Sequence, residues 1–90
     1  MRLTLLTRAY CHLCDQMRDG LRPLLAGRTV ELIEIDVDAD PGLEERFGDL
    51  VPVLIAGEPG DGRELCHHRL DRDAVRAALA AQPDPPAGIA

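Results

Sequence analysis

The chain of 90 residues has no Trp, Lys, Asn or Ser, and its aromatic content is 2%, Tyr10 and Phe47 alone. Without aromatic bulk the core must be aliphatic, and a hydrophobic fraction of 46%, carried by Leu, Val, Ile and Ala, is enough for an ordinary globular domain. Positive charge is also scarce. Lys+Arg total 10, all of them Arg, against 16 Asp+Glu, for a formal net charge of -6. This deficit disfavours binding to phosphate backbones and anionic bilayers, which need clustered positive charge, so neither nucleic acid nor a membrane surface is an expected partner. The use of Arg without Lys reads as the mark of a GC-rich genome. Long apolar runs are missing too. Leu3 to Leu6 is interrupted by Thr4 and ends at Thr7-Arg8, so neither a secretion signal nor a membrane span is expected, and the expected location is the cytoplasm. The length leaves room for one small domain.

Cysteine is present three times, an odd number. In a reducing compartment this points away from a structural disulfide framework and towards a reactive or metal-binding role. Two of the thiols lie in Tyr10-Cys11-His12-Leu13-Cys14, directly after the apolar run Leu3 to Thr7. From Cys14 onward, Met17, Leu21, Leu24 and Leu25 recur at helical spacing. A strand feeding a helix that opens on C-x-x-C is the context of a thiol redox site. At the first turn, free backbone N–H groups and the positive end of the helix dipole favour a thiolate, and such sites lower a thiol pKa from ~8.5 to between ~3.5 and ~7.5. Cys11 is therefore the candidate nucleophile. Cys14, one turn on, lies on the same face at bridging range and is the candidate resolving thiol. Two small buried side chains would not require this placement. Arg8 can add nearby positive charge or be a solvated loop residue. His12 can stabilise the thiolate or be exposed, and Tyr10 can wall the site or be packed.

The remaining elements follow from punctuation and periodicity. Gly20 and Pro23 predict a kink or early stop of the first helix near Arg22. Val30 to Val37 reads as a partly solvated edge strand, with Glu31, Glu34, Asp36 and Asp38 exposed and Asp40 capping a short helix that starts at Pro41 and stops at Gly48. Read as metal ligands, these acids would form only a run; their expected role is the solvated edge and the cap. Val51 to Ala56 is a third strand with Pro52 at its start. The turn Gly57 to Gly62 leads into a fourth strand, Arg63 to Cys66, and Asp71 caps a last helix bearing Val75, Ala78 and Leu79. Residues 1–82 make the domain. The tail 83–90, with Pro83, Pro85 and Pro86, is expected to be disordered. The order is β-α-β-α-β-β-α, an α/β arrangement with a parallel first pair and an antiparallel closing hairpin.

Leu3 to Thr7, Tyr10-Cys11-x-x-Cys14, Val51-Pro52 and the closing hairpin and helix resemble a small bacterial glutaredoxin-like protein of the thioredoxin superfamily, over nearly all of residues 1–82. The resemblance implies a thioredoxin/glutaredoxin-like fold: a four-stranded mixed sheet in the order 2-1-3-4, with the first and third helices on one face and the second on the other. It also implies a cis Val51-Pro52 peptide beside the dithiol, with the preceding backbone available to an extended thiol substrate. Two departures stand out. His12-Leu13 occupies the place where glutaredoxins commonly have Pro-Tyr or similar residues. Cys66-His67-His68-Arg69-Leu70-Asp71 replaces the usual Gly-Gly and acidic residue that hold the glutathione carboxylate, which leaves Arg69 or the start of the last helix to bind one.

With that strand order, Cys66, His67 and His68 reach the same sheet edge as the dithiol. One strand intervenes, so the lateral gap is about 9.6 Å, two spacings of ~4.8 Å, which exceeds the ~7 Å Cα limit for a disulfide. The leading expectation is a dithiol thiol-disulfide oxidoreductase acting on protein or low-molecular-weight disulfides. It would be monomeric and without a resident cofactor, with glutathione as a possible co-substrate or a thioredoxin-reductase-type donor in its place. The alternative is a zinc- or iron-sulfur-binding module using Cys11, Cys14, Cys66 and His67 or His68, which lacks the second short ligand pair of a firm zinc motif. A redox-inert interaction domain of the same fold is the third reading.

Overall fold

The computed structural model describes residues 1–81; the expected tail at 83–90 lies outside the described residues. Strand β1 (Arg2–Thr7) leads into helix α1 (His12–Leu25), strand β2 (Glu31–Asp36), a 3-10 turn (Val37–Ala39) and helix α2 (Pro41–Phe47). Strands β3 (Val53–Ala56) and β4 (Arg63–His67) and helix α3 (Arg72–Ala81) complete it. The sheet order is β2-β1-β3-β4, with β1 parallel to β2 and antiparallel to β3, and β3 antiparallel to β4.

The two-residue alternation of the strands sorts the core into two layers. Leu3, Leu5 and Leu54 point to one face, where Met17 and Leu21 of α1 and Val75 and Leu79 of α3 cover them. Leu6, Val53 and Ile55 point to the other, beneath Val37 and Phe47. Phe47, the lone Phe, thus fills the layer served by the shortest helix.

Several boundaries differ from the expectation, each for a local reason. Helix α1 does not stop near Arg22 but runs through Pro23 to Leu25. Pro23 removes one donor close to the helix end, and Leu24 and Leu25, packed against the core, hold the last turn in place. Gly20 suits tight packing: a Cβ there would lie 2.7 Å from Cδ2 of Leu70. Val37 leaves the edge strand, because Asp36 caps a 3-10 turn by accepting from the Asp38 N–H at 2.9 Å, and that turn buries Val37 completely. Strand β3 begins at Val53, two residues later than expected, and β4 extends one further, to His67. A bulge shifts the β3–β4 register between Leu54, which faces Cys66, and Ile55, which faces Glu64, leaving Leu65 as the extra residue.

The caps follow the sequence. Asp40 accepts from the N–H groups of Gly42 and Leu43 at 3.0 and 3.2 Å, and Asp71 from that of Ala74 at 3.0 Å. Gly48 ends α2 in a right-handed conformation, φ -54°, not the left-handed one usual for a glycine stop. What requires glycine there is space, since a Cβ would lie 2.5 Å from the Glu44 carbonyl oxygen and 3.2 Å from the Arg8 guanidinium.

Leu54 is fully buried in a strand paired on both sides, whereas Leu32 is half-buried on the edge strand. We expect Leu54→Ala to cost ~2–5 kcal/mol and Leu32→Ala clearly less. Thermal denaturation of the two variants checks this, and equal losses would contradict the layer assignment.

Candidate active site

Helix α1 starts where β1 ends, and Cys11 is its N-cap, with φ -105° and ψ 105°. The Cys14 backbone N–H donates to Sγ of Cys11 at 3.1 Å. The cap position that Ser or Asp usually fills is here held by sulfur, and an N–H donor at that atom favours its anionic form over its neutral one. Cys11 and Cys14 are bonded as a disulfide with Cα atoms 5.2 Å apart. Their exposure separates them: Cys11 is half-buried, while Cys14 is 1% exposed beneath it.

Around this pair the structure places the other candidate residues unequally. Tyr10 is fully exposed, with a backbone φ of 58°, so it is not a packed Tyr. His12, the first helical residue, is exposed as well. Arg8 points away from solvent duty and into a network. Its Nε and NH2 groups donate to the Asp38 carboxylate at 3.0–3.2 Å, with further bonds to Glu44 at 3.2 Å and the Gly48 carbonyl at 3.3 Å. Hydrogen bonding to Asp38 raises its pKa above the ordinary Arg value, and the side chain ties the loop before Cys11 to α2. The other acids of the edge likewise have structural tasks: Glu31 pairs with Arg2, Glu34 with Arg18, and Asp36 and Asp40 are caps.

Val51-Pro52 is a cis peptide, and Pro52 is buried. Its carbonyl accepts from the His68 N–H at 2.9 Å, and the His68 ring donates from Nε2 to the Asp49 carbonyl at 2.9 Å. A carbonyl can only accept, so Nε2 carries the proton. Both bonds depend on a φ of 63° at His68 and on the three-residue turn closed by the Arg69 N–H on the His67 carbonyl at 2.7 Å. Tyr10 and His68 are the two non-glycine residues with positive φ among those described, and they flank Cys11 and Pro52 respectively. Such backbone costs ~1–3 kcal/mol per residue and collects at functional sites. Neither was visible in the sequence as a strained position; for His68, its place next to the departure after β4 was the available signal.

Between α1 and the segment after β4 lies a groove of about 260 Å³, lined by Leu13, Gln16, Met17, His68, Arg69, Leu70 and Arg72. Leu13 stands between the cysteines and His68 holds the proline loop, so the groove adjoins both. Of its lining, the sequence singles out Arg69 for binding and places His68 on the sheet edge of the dithiol. Leu13, Gln16, Met17, Leu70 and Arg72 were not singled out, since their convergence depends on how α1 packs against that segment.

Cys66 is a free, half-buried thiol facing Leu54, and burial pushes its pKa up. His67 is paired with Glu64 through Nδ1 at 3.1 Å. Among the described residues no three His, Cys, Asp or Glu side chains converge in a geometry that could hold a metal ion.

The family model of the glutaredoxin-like domain matches residues 2–80. This chain belongs to the glutaredoxin-like domain family. An uncharacterized protein of Mycobacterium tuberculosis is 35% identical to it over 89 residues, 92% of each chain. A protein of Nitrosomonas europaea solved by NMR superposes with a TM-score of 0.74 at 38% identity, covering 86% of this chain and 88% of the other. The glutaredoxin-like protein NrdH-redoxin of Escherichia coli gives a TM-score of 0.60 at 25% identity, with 94% and 100% covered. Together with the bonded Cys11–Cys14 pair, these likenesses support a thiol-disulfide redox function for this member of the glutaredoxin-like family. No described helix is long and apolar enough to cross a membrane.

Two outcomes are expected. In the reduced protein at neutral pH, iodoacetamide should modify Cys11 well before Cys66, whose raised pKa keeps its thiolate fraction small until the pH is alkaline; peptide mapping reads the order, and equal rates would contradict it. His68→Ala should lower stability by ~1 kcal/mol, a fall of roughly 4–8 °C in Tm, and His68→Gln, which retains an N–H donor, should recover much of it.

Proposed function

We propose that this protein is a dithiol thiol-disulfide oxidoreductase with Cys11 as nucleophile and Cys14 as resolving thiol. The observation that carries the reading is the asymmetry of the pair: Cys11 is half-exposed, caps α1 and accepts an N–H bond, while Cys14 is buried within bridging distance. In the reduced state the Cys11 thiolate attacks one sulfur of a partner disulfide. A Cys11–partner disulfide forms, and the partner's other sulfur leaves as a thiolate and takes a proton. Cys14 then loses its proton and attacks the Cys11 sulfur, releasing the second partner thiol and closing Cys11–Cys14. Two electrons and two protons pass to the partner, and an external dithiol or thiol donor restores the reduced pair.

Positioning is assigned to the proline loop. Among the described residues, the Val51 backbone N–H and carbonyl take no hydrogen-bond partner, so an extended substrate backbone can pair with Val51 in the manner of an added strand. Buried Pro52 supports that backbone, and exposed Tyr10 offers the substrate an aromatic contact on the other side of Cys11. Arg69 supplies a cation for a carboxylate, and His12, exposed beside Cys11, adds charge when protonated. Arg8 acts at one remove, through the loop it anchors. The partners are disulfides of proteins or small thiols in a reducing compartment, with the cytoplasm as the proposed location. The solved glutaredoxin-like NrdH-redoxin is described as having a thioredoxin-like activity profile. Together with the missing Gly-Gly clamp, this favours a thioredoxin-reductase-type donor over glutathione.

Cys11→Ser should lower disulfide reduction at least ~100-fold with every donor, because the hydroxyl is not ionised at neutral pH. Cys14→Ser should retain the first attack and accumulate mixed disulfides, visible as mass-shifted, thiol-sensitive adducts. An intact protein no faster than Cys11→Ser with dithiothreitol, glutathione or a thioredoxin reductase as donor would refute the assignment.

A further inference from the structure

We infer that the groove beside the dithiol selects partner disulfides set in acidic protein segments, with Arg69 and Arg72 as the residues that read the charge; this rests on the oxidoreductase reading above. The argument starts from how the arginines are used. Arg2, Arg8, Arg18, Arg22 and Arg76 each pair with a carboxylate. The side chains of Arg28, Arg46, Arg63, Arg69 and Arg72 make no ion pair or hydrogen bond among the described residues, and of these the exposed Arg69 and Arg72 line the groove together. No carboxylate lines that groove. Asp71, which lies between the two in sequence, is engaged at the N-terminus of α3, where it accepts from the Ala74 N–H. In a chain of net charge -6, Arg69 and Arg72 put two cations on a groove that no carboxylate lines and that includes Leu13, the residue before Cys14.

The occupant follows from shape and charge. Leu13, Met17 and Leu70 give the groove its apolar lining; Leu13 stands between the cysteines in sequence, and His68 is bonded to the Pro52 carbonyl. An extended segment whose cysteine pairs with the Val51 backbone would carry its neighbouring side chains over Leu13 towards Arg69 and Arg72. Acidic side chains there meet the guanidinium groups while the chain's apolar atoms cover the apolar lining. The overall charge of -6 does not cancel this preference. At physiological ionic strength the Debye length is about 8 Å, so distant acids are screened while a carboxylate in contact with Arg69 or Arg72 is not. The redox step is unchanged: Cys11 attacks the segment's disulfide, Cys14 displaces it, and the segment leaves as two thiols while Cys11–Cys14 forms.

The test compares two peptide disulfides of equal length, one with aspartates flanking the cysteines and one with arginines, at ~0.15 M salt, with uncharged dithiothreitol as electron donor. The wild-type protein should show about a tenfold higher kcat/KM for the acidic peptide, the scale expected of two exposed ion pairs. The doubly substituted Arg69→Ala/Arg72→Ala protein should lose that ratio, and Arg69→Glu/Arg72→Glu should invert it, an outcome that loss of folding cannot produce. Equal values for the two peptides in the wild type, or a ratio that survives the double Ala substitution, would overturn the inference. So would glutathione disulfide reduced with a kcat/KM at or above that of the acidic peptide and with the same dependence on the two arginines, since the occupant would then be a small anionic thiol. A parallel assay with uncharged bis(2-hydroxyethyl) disulfide separates the two levels. If the wild type reduces it no faster than Cys11→Ser does, the oxidoreductase reading itself has failed; if it does so faster while the peptides react alike, only the charge selection has.

Discussion

The C-terminal end of β1 is the point on which the rest of the structure depends. Because β1 runs parallel to β2 and antiparallel to β3, and β3 antiparallel to β4, the end of β1, the start of β3 and the end of β4 lie on one edge of the sheet. The chain places its dithiol just after the first, Val51-Pro52 just before the second, and His67-His68 at the third. Nothing in the individual segments would bring these residues together; the ladder does. It is anchored by Leu3, Leu5, Leu6, Val53 and Leu54, all at 0% exposure, so the active edge rests on the part of the core least able to relax.

Charge is distributed in keeping with that scaffold. Arg18 joins α1 to the edge strand through Glu34, and Arg8 joins the loop before Cys11 to Asp38 and α2. Isolated exposed pairs of this kind contribute little stability, ~0.2–1 kcal/mol each. Their larger effect is geometric, since they fix loops that the small aliphatic core does not reach. The net charge therefore describes the site less well than the places of individual arginines, of which Arg8 and Arg18 tie the scaffold while Arg69 and Arg72 line the groove.

Much of this was legible in the sequence, for identifiable reasons. The apolar and β-branched runs of the strands, the helical spacing from Cys14 to Leu25, the turn residues, and the caps Asp40 and Asp71 are local properties, and they gave the element order. The sheet order and the cis Val51-Pro52 peptide came from the family resemblance. What remained illegible depends on contacts between distant segments. The continuation of α1 past Pro23 is decided by the packing of Leu24 and Leu25, and the departure of Val37 from the edge strand by its burial under Phe47's layer. Arg8 reads as a solvated loop residue until Asp38, Glu44 and Gly48 are seen around it. His68 is exposed, as an edge position suggests, but neither its φ nor its two carbonyl partners leave a trace in composition or period.

His68 also explains how the turn is kept without the glycines that the glutaredoxin resemblance would place there. A φ of 63° is one that glycine adopts freely and that costs other residues ~1–3 kcal/mol. The side chain returns a comparable amount, because its Nε2–H bond to Asp49, together with the backbone bond to Pro52, is worth ~0.5–1.5 kcal/mol per bond. The exchange is close to neutral for stability, so stability alone does not account for a histidine there. What the imidazole adds is a fixed distance between the segment after β4 and the proline loop, which a glycine would leave to the backbone. The segment that follows, Arg69-Leu70-Asp71-Arg72, then starts from a defined position, with its acid committed to the α3 cap and its two cations left on the groove. A site with that construction presents side-chain charge where the glutaredoxin resemblance would have glycine-exposed backbone, and the charge selection inferred above rests on that difference.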